Sequence, residues 1–176
     1  MIIEYASESK PAVRLLTLLA TALLLCIAVP VQAQEPPPRP VILTANPSQP
    51  LAFGAFTPGA SGGTVTISPN GTRSAGGSVV LLSLGYVYTP AMFYVRANMG
   101  TVLSVLVTPP AILTGSGGGT LTLQVAGSLP ASPFVTTLPW PQYTTLLLGG
   151  TLTIGNIASN PPGTYTGTYS VTLIRE

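Results

Sequence analysis

Side chains able to perform acid–base, nucleophilic or metal chemistry are scarce in this sequence. Its 176 residues include no His, one Cys, six Lys or Arg and four Asp or Glu. General acid–base catalysis needs a group that titrates near the working pH, and a Ser or Thr nucleophile needs a neighbouring base. Transition-metal sites need clusters of His, Cys or carboxylates. The composition therefore predicts no catalytic residue, no metal site and no cofactor, which indicates a protein that is not an enzyme.

Two local motifs could still bind a ligand. Pro139-Trp140-Pro141-Gln142-Tyr143 contains the only Trp, and the rings of Trp140 and Tyr143 could stack on a sugar or contact a partner protein. The same rings could cap the core from a loop, and we expect this second role. The segment Gly115–Gly119 lacks the Lys and the following helix of a phosphate-binding loop, so we expect it to form a hairpin loop.

The first 33 residues have the pattern of a secretory signal peptide. Lys10 and Arg14 precede an apolar run from Leu15 to Val29, and Val31-Gln32-Ala33 follows as a cleavage pattern. The run is shorter than the roughly 20 residues that a membrane-spanning helix needs. We therefore expect a secreted, periplasmic or cell-surface protein that meets the membrane only through its transient signal peptide.

Few charges remain after residue 33. They are Arg39, Arg73, Arg96, Arg175, Glu35 and Glu176. Nucleic-acid binding requires a clustered basic face, whereas these four Arg are scattered along the chain. We expect each Arg to be a solubilising surface charge and expect no nucleic-acid partner.

Residues 34–50 are rich in Pro and cannot form a helix. Within them the segment Val41, Ile42, Leu43, Thr44 and Ala45 has strong strand preference. It could be an edge strand of the domain or an arm that leaves it. We therefore divide the chain into a signal peptide (1–33), a Pro-rich N-terminal arm (34–50) and one further domain (51–176).

Residues 51–176 are predicted to be all-β, an antiparallel β-sandwich. Short β-type runs alternate with Gly and Pro turns, and no segment shows a sustained helical period. Apolar residues alternate with Thr in Val65/Ile67, Leu121/Leu123/Val125 and Leu152/Ile154, as in half-buried strands. The predicted strands are Leu51–Phe56, Thr64–Ser68, Val79–Leu84, Ala91–Asn98, Thr101–Thr108, Thr120–Ala126, Tyr143–Leu148, Thr151–Gly155 and Tyr165–Arg175.

The last predicted strand is the most specific local feature. It alternates strictly, with hydroxyl side chains on one face and Tyr165, Gly167, Tyr169, Val171 and Leu173 on the other. Such a strand could close a sandwich in the ordinary way. It could also border a groove that an extended segment of another chain fills by strand addition.

Seven segments of the domain form a further pattern, in this order: Leu51–Gly54, Gly62–Ile67, Pro69–Arg73, Gly76-Gly77, Ala91–Val95, Leu148–Gly155 and Gly163–Thr172. In these segments the domain resembles a bacterial secreted family described only as a domain of unknown function. That family is similar to spore coat protein U and to the archaic chaperone-usher pilins, which have an immunoglobulin-like fold.

In those relatives, the N-terminal extension of one subunit completes the sandwich of the next. The resemblance implies that Val41–Ala45 is a donor strand, and that Gly163 and the face from Tyr165 to Leu173 border the acceptor groove. It also implies self-association, or a periplasmic chaperone and an outer-membrane usher, as partners. Two features depart from the pattern, since Pro40 and Pro47 confine the donor segment and the mature chain lacks the Cys pair of many pilins.

Two functions follow as hypotheses. The first is an exported, non-enzymatic structural or adhesive surface subunit, fimbrial in type and assembled by strand addition. The alternative is a secreted, self-complete β-sandwich that binds a ligand such as a carbohydrate through Trp140 and Tyr143.

Overall fold

The computed structural model describes residues 39–107 and 110–176. The predicted signal peptide and residues 34–38 lie outside these ranges. No helix in the described ranges is long and apolar enough to cross a membrane. The described strands are β1 Ile42–Ala45, β2 Ala52–Phe53, β3 Ala55–Thr57, β4 Gly63–Ile67, β5 Arg73–Gly77, β6 Val80–Leu82, β7 Tyr88–Thr89, β8 Ala91–Arg96, β9 Val102–Val107, β10 Ala111–Gly115, β11 Thr120–Leu129, β12 Phe134–Val135, β13 Thr144–Ile154, β14 Tyr165–Thr166 and β15 Val171–Arg175.

Strand β13 organises the larger sheet. On one side β11 pairs with it, and on the other β8 pairs with Thr144–Leu148 while β4 pairs with Gly150–Ile154. The sheet continues through β1 beyond β8, β5 beyond β4, and β10 and β14 beyond β11. A second sheet contains β12, β9 and β15, and two short pairs join β2 to β7 and β3 to β6. The described pairings are antiparallel, which confirms the prediction of an all-β antiparallel sandwich.

The core is built from side chains of both larger sheets. The predicted alternation is confirmed, because Val65, Ile67, Leu121, Leu123, Val125, Leu152 and Ile154 are all buried. Leu103 of β9 and Phe134 of β12 belong to the same buried cluster. On the opposite face of the larger sheet, Thr66 and Thr151 of β4 and β13 share a hydroxyl hydrogen bond of 3.0 Å. Period-two burial therefore fixes which face of each strand meets the core.

The break expected between Leu148 and Thr151 is absent, and β13 runs through both glycines. At this point β13 changes its neighbour from β8 to β4. A Cβ on Gly149 would lie 2.8 Å from the Pro69 ring, and one on Gly150 would lie 3.2 Å from the Gln124 carbonyl oxygen. The glycines permit close backbone approach in the strand and do not end it.

The single last strand expected from Tyr165 to Arg175 is wrong. Tyr165–Thr166 forms β14 on β10 of the larger sheet, whereas Val171–Arg175 forms β15 on β9 of the other sheet. The residues between them carry the chain from one sheet to the other. The alternation still places Tyr165, Tyr169, Val171 and Leu173 against the core, but Gly167 is exposed.

The domain begins before Leu51, the boundary expected from the Pro-rich composition. Strand β1 pairs with β8 from Ile42↔Arg96 to Ala45↔Phe93. Beyond β1, the Asn46 amide donates to the Met92 carbonyl and the Met92 amide donates to the Gln49 carbonyl. In this chain Ile42–Ala45 of the predicted segment is thus an edge strand of its own domain, one of the two alternatives that the sequence left open.

Candidate functional site

The outer face of β8 carries the residues that hold the aromatic loop. Because side chains alternate along a strand, the burial of Val95 in the core directs Tyr94 and Arg96 outward. Tyr143 packs on Tyr94, with ring centroids 4.4 Å apart and planes inclined by 60°. Asn46 Nδ2 donates a hydrogen bond of 3.2 Å to the Tyr94 hydroxyl and holds that ring in place. The local fold thus places two contacting, mutually tilted aromatic rings on the outer face of the larger sheet.

An open groove lies beside these rings. It is lined by Arg96, Leu138, Pro141, Gln142 and Tyr143 and has a volume of about 450 Å³. We call these five residues the Tyr143 groove. Tyr143 is 46% exposed, so a planar or ring-shaped ligand could reach its face. Arg96 is the only charged residue among the five.

Trp140 lies next to the groove in the chain but is not one of its lining residues. The ring is half-buried, and the guanidinium carbon of Arg39 lies 5.4 Å from its centroid. This is a cation–π contact. The core-capping role that we expected for the pair is wrong for Tyr143, which stacks on the outside of the sheet. The structure brings the loop of Trp140 and Tyr143 to the outer surface, flanked by two Arg.

The four Arg do not share one environment. Arg39 and Arg96 flank the aromatic loop, whereas Arg73 donates from Nη2 to the Ala55 carbonyl and lies 5.2 Å from the Tyr88 ring centroid. Its Nε is buried without a hydrogen-bond partner among the described atoms. Burial lowers the pKa of Arg73 from its usual value, and Tyr88 opposes that shift. The expectation that every Arg is a free surface charge is therefore wrong for Arg73.

The described residues contain a single carboxylate side chain, that of Glu176. Its oxygen accepts a hydrogen bond from the Ser104 hydroxyl on β9, in the other sheet from β8. In the described ranges no group of three His, Cys, Asp or Glu could hold a metal ion. Among the described residues, the one charge that lines the Tyr143 groove is therefore positive, that of Arg96.

A second candidate site is the outer edge of β15, which stands at the end of its sheet. The Glu176 amide donates to the Val102 carbonyl, so even-numbered residues of β15 bond to β9. The amides and carbonyls of Val171, Leu173 and Arg175 therefore point away from β9. Within the described chain, no strand pairs with this side of β15. We call this row of backbone groups the β15 edge.

Strand β9 has a shorter open stretch on its opposite side, because β12 pairs only with Val102 and Leu103. An open groove of about 460 Å³ lies there, with Val105, Val107 and Val125 among its lining residues. The Val105 amide, however, already donates a 2.8 Å hydrogen bond to Ser132 Oγ. A side chain thus satisfies part of this edge, and the β15 edge offers the longer run of unpaired backbone.

Sequence reasoning named Trp140 and Tyr143 but missed the residues that position them. Tyr94 and Arg96 share the outward face of β8 at a spacing of two, and this spacing was the available signal. The contact of Arg39 with Trp140 joins positions a hundred residues apart, so no local pattern could have shown it. Of the residues expected at the acceptor groove, Val171 and Leu173 lie on β15, whereas Gly163 lies before β14 in the β13–β14 connection.

Comparison with known proteins gives one family and no named relative. A family model described as a domain of unknown function (DUF4402) matches residues 43–174, which span β1 to most of β15. No curated protein and no solved structure matches the chain. Because the match covers most of the chain and nearly all of the described domain, the protein belongs to the DUF4402 family of domains of unknown function.

Proposed function

We propose that the protein is an exported, non-enzymatic structural or adhesive subunit of the cell surface that assembles by strand addition at the β15 edge. The observation that carries the proposal is the unpaired backbone of Val171, Leu173 and Arg175, described above. Exposed strand edges are templates for an added strand. The scarcity of ionisable side chains in the sequence supports a role without catalysis.

The side chains of β15 suit an acceptor edge. Val171 and Leu173 are half-buried and pack against the core. An added strand would extend this sheet, and its alternate side chains would cover the apolar flank of both residues. Main-chain hydrogen bonds would supply affinity and the buried side chains would set the register.

The donor segment in this proposal is Val41–Ala45 of a neighbouring copy, as the resemblance to the archaic pilins implies. In the single chain, four residues of this segment pair with Phe93–Arg96. Donation therefore requires β1 to leave its own β8, an exchange of one short strand. The resemblance also implies that a periplasmic chaperone covers the edge before an outer-membrane usher assembles the subunits. Chaperone and usher genes beside this one would favour assembly.

The test of this assembly is a pair of proline substitutions on β15. The amides of Val171 and Arg175 point away from β9, so Val171→Pro/Arg175→Pro removes no hydrogen bond of the β9–β15 ladder. The matched control is Val171→Ala/Arg175→Ala. We expect the mature chain and the alanine variant to form oligomers in size-exclusion chromatography with light scattering, and the proline variant to remain a folded monomer. A mature chain that is monomeric at every accessible concentration would refute the assembly.

The Tyr143 groove supports a second candidate function, a carbohydrate-binding surface. The exposed Tyr143 ring, which packs on Tyr94 beside an open groove, suits the apolar face of a sugar. We expect Tyr143→Ala to abolish glycan-array signal while the thermal unfolding curve is unchanged, because the ring lies outside the core. Leu129→Ala, at a 50% exposed residue of β11, is the control and should keep the signal. An array without signal for the unmodified protein would count against this function.

A further inference from the structure

We propose that the ligand of the Tyr143 groove is an acidic polysaccharide, recognised by a uronate carboxylate on Arg96 and a sugar ring on Tyr143. The proposal rests on the second candidate function and adds the chemical class of its ligand. It follows from the charges around the groove and from the geometry of its rings.

Among the described residues, a cation lines the groove and no anion does. Arg96 is an exposed lining residue, and Arg39 stands over Trp140 at the neighbouring end of the loop. Glu176, the sole carboxylate side chain in the part of the chain that the structure describes, bonds to Ser104 in the other sheet. A ligand carboxylate would therefore meet an available guanidinium, which can bind it through two parallel hydrogen bonds.

The remaining lining residues favour a ring that is attached to this charge. Tyr143 is 46% exposed and packs on Tyr94, with ring centroids 4.4 Å apart and planes inclined by 60°. Leu138 and Pro141 add apolar surface, and Gln142 brings an amide that can donate to or accept from a sugar hydroxyl. A uronic acid combines a carboxylate, hydroxyls and an apolar ring face in one residue.

The number of cations argues against nucleic acid as the ligand. Duplex and single-stranded nucleic acids are bound by rows of basic residues that neutralise several phosphates. Among the described residues, Arg39 and Arg96 flank this loop, whereas Arg73 lies on β5 and Arg175 on β15. Two cations beside an aromatic groove suit a polysaccharide with one carboxylate per sugar ring better than they suit the phosphate backbone of a nucleic acid.

The chain carries its own probe, because Trp140 is the only Trp and lies beside the groove. The experiment titrates the mature protein with an oligogalacturonate and with its methyl ester, which has the same rings and no charge. An oligomannuronate tests a second uronic acid with a different glycosidic linkage. Trp fluorescence and calorimetry give the affinities. We expect the free acid to bind and the ester to bind at least about tenfold more weakly.

Single substitutions distinguish the contribution of the Arg96 charge to binding from that of the Tyr143 ring. Arg96→Gln should weaken binding of the acid by about tenfold or more and leave binding of the ester unchanged. Leu129→Ala, at an exposed residue of β11, is the control and should change neither. Tyr143→Ala should weaken both forms. We expect the thermal unfolding of each variant to match that of the unmodified protein, since Arg96, Leu129 and Tyr143 are exposed.

The results distinguish a failure of the acidic ligand from a failure of carbohydrate binding as a whole. If acid and ester bind equally, or if Arg96→Gln binds the acid normally, the acidic ligand is refuted while a carbohydrate-binding groove stands. If neither the uronates nor neutral oligosaccharides bind, both are refuted. Strand assembly is measured separately by light scattering and is not affected by either result.

Discussion

Tyr169 lies in the crossing that carries the chain from β14 to β15, and its ring packs against the core. Burial raises the pKa of its phenol above the usual value. Folding therefore favours the neutral phenol, and this contribution is complete below the unfolded pKa of about 10. It is lost as the pH rises through the higher folded pKa.

The resulting prediction concerns alkaline unfolding. We expect the free energy of unfolding to fall above about pH 10, and we expect Tyr169→Phe to reduce that fall in urea titrations. Tyr86→Phe is the control, because Tyr86 is 69% exposed and its substitution should leave the alkaline fall unchanged. Identical pH profiles for Tyr169→Phe and the unmodified protein would show that Tyr169 ionises as readily in the folded state.

Substitutions at two glycines distinguish the cost of a left-handed backbone from the cost of a steric clash. Gly62 and Gly100 both have left-handed φ, 68° and 83° respectively. A Cβ at Gly100 would meet nothing within 4 Å, whereas one at Gly62 would press against the Ile154 carbonyl oxygen of β13. Gly100→Ala should cost about 1–2 kcal/mol from the left-handed conformation alone. Gly62→Ala should cost clearly more in chemical denaturation, and equal losses would contradict the close packing on β13.

Among the elements, alternating strands with buried aliphatic residues could be predicted from the sequence, whereas the division of Tyr165–Arg175 into two strands could not. The strands that carry Val65/Ile67 and Leu121/Leu123 were predicted within a few residues of their ends. Strand β5, Arg73–Gly77, was missed because Ser, Ala and Gly give no apolar period. Strand β10, Ala111–Gly115, was missed beside the Gly-rich loop that follows it. Both depend on pairing with a neighbour, which local patterns do not report.

The residues of the candidate sites could be predicted only where their type or their alternation is distinctive. Trp140 and Tyr143 stand out by residue type, and the last strand stands out by alternation. The transfer of the chain between sheets after β14 is a tertiary event that a continuous alternation conceals. The Tyr143 groove depends on β8, β13 and the aromatic loop meeting on one face, which only the sheet order β1-β8-β13 reveals.

Strand β1 gives a prediction at the element scale. Leu43 packs against the core while Thr44 is exposed. A chain that starts at Leu51 lacks this edge strand and should be less stable by roughly 3 kcal/mol, the value of burying one or two aliphatic side chains. A synthetic Arg39–Gln49 peptide should restore the lost stability. This would be measured as a rise in the melting temperature of the truncated chain.

The matched peptides test the register of that strand. A peptide with Thr44→Asn should still stabilise the truncated chain, because residue 44 faces solvent. A peptide with Leu43→Asn should fail, because it would place an amide against the core. If the truncated chain were as stable as the mature protein, β1 would contribute nothing to the domain and would be free to act as an arm.

At the scale of the whole molecule, the missing ionisable groups predict an unusual pH response. After residue 33 the sequence contains no His, Asp or Lys, and its two Glu stand at positions 35 and 176. No side chain of ordinary pKa therefore titrates between about pH 6 and 9. The slope of stability against pH depends on the difference in bound protons between the unfolded and folded states, and here that difference is close to zero.

We therefore expect the melting temperature of the mature domain to vary by less than about 2 °C between pH 6 and 9. Calorimetry in buffers of matched ionic strength measures this directly. The proline variant of the β15 edge provides a monomeric control, because association would add its own pH and concentration dependence to the melting temperature. If the monomer showed a sloping profile, the folded and unfolded states would bind different numbers of protons in this pH range. A flat profile would show that folding changes the protonation of no group between pH 6 and 9.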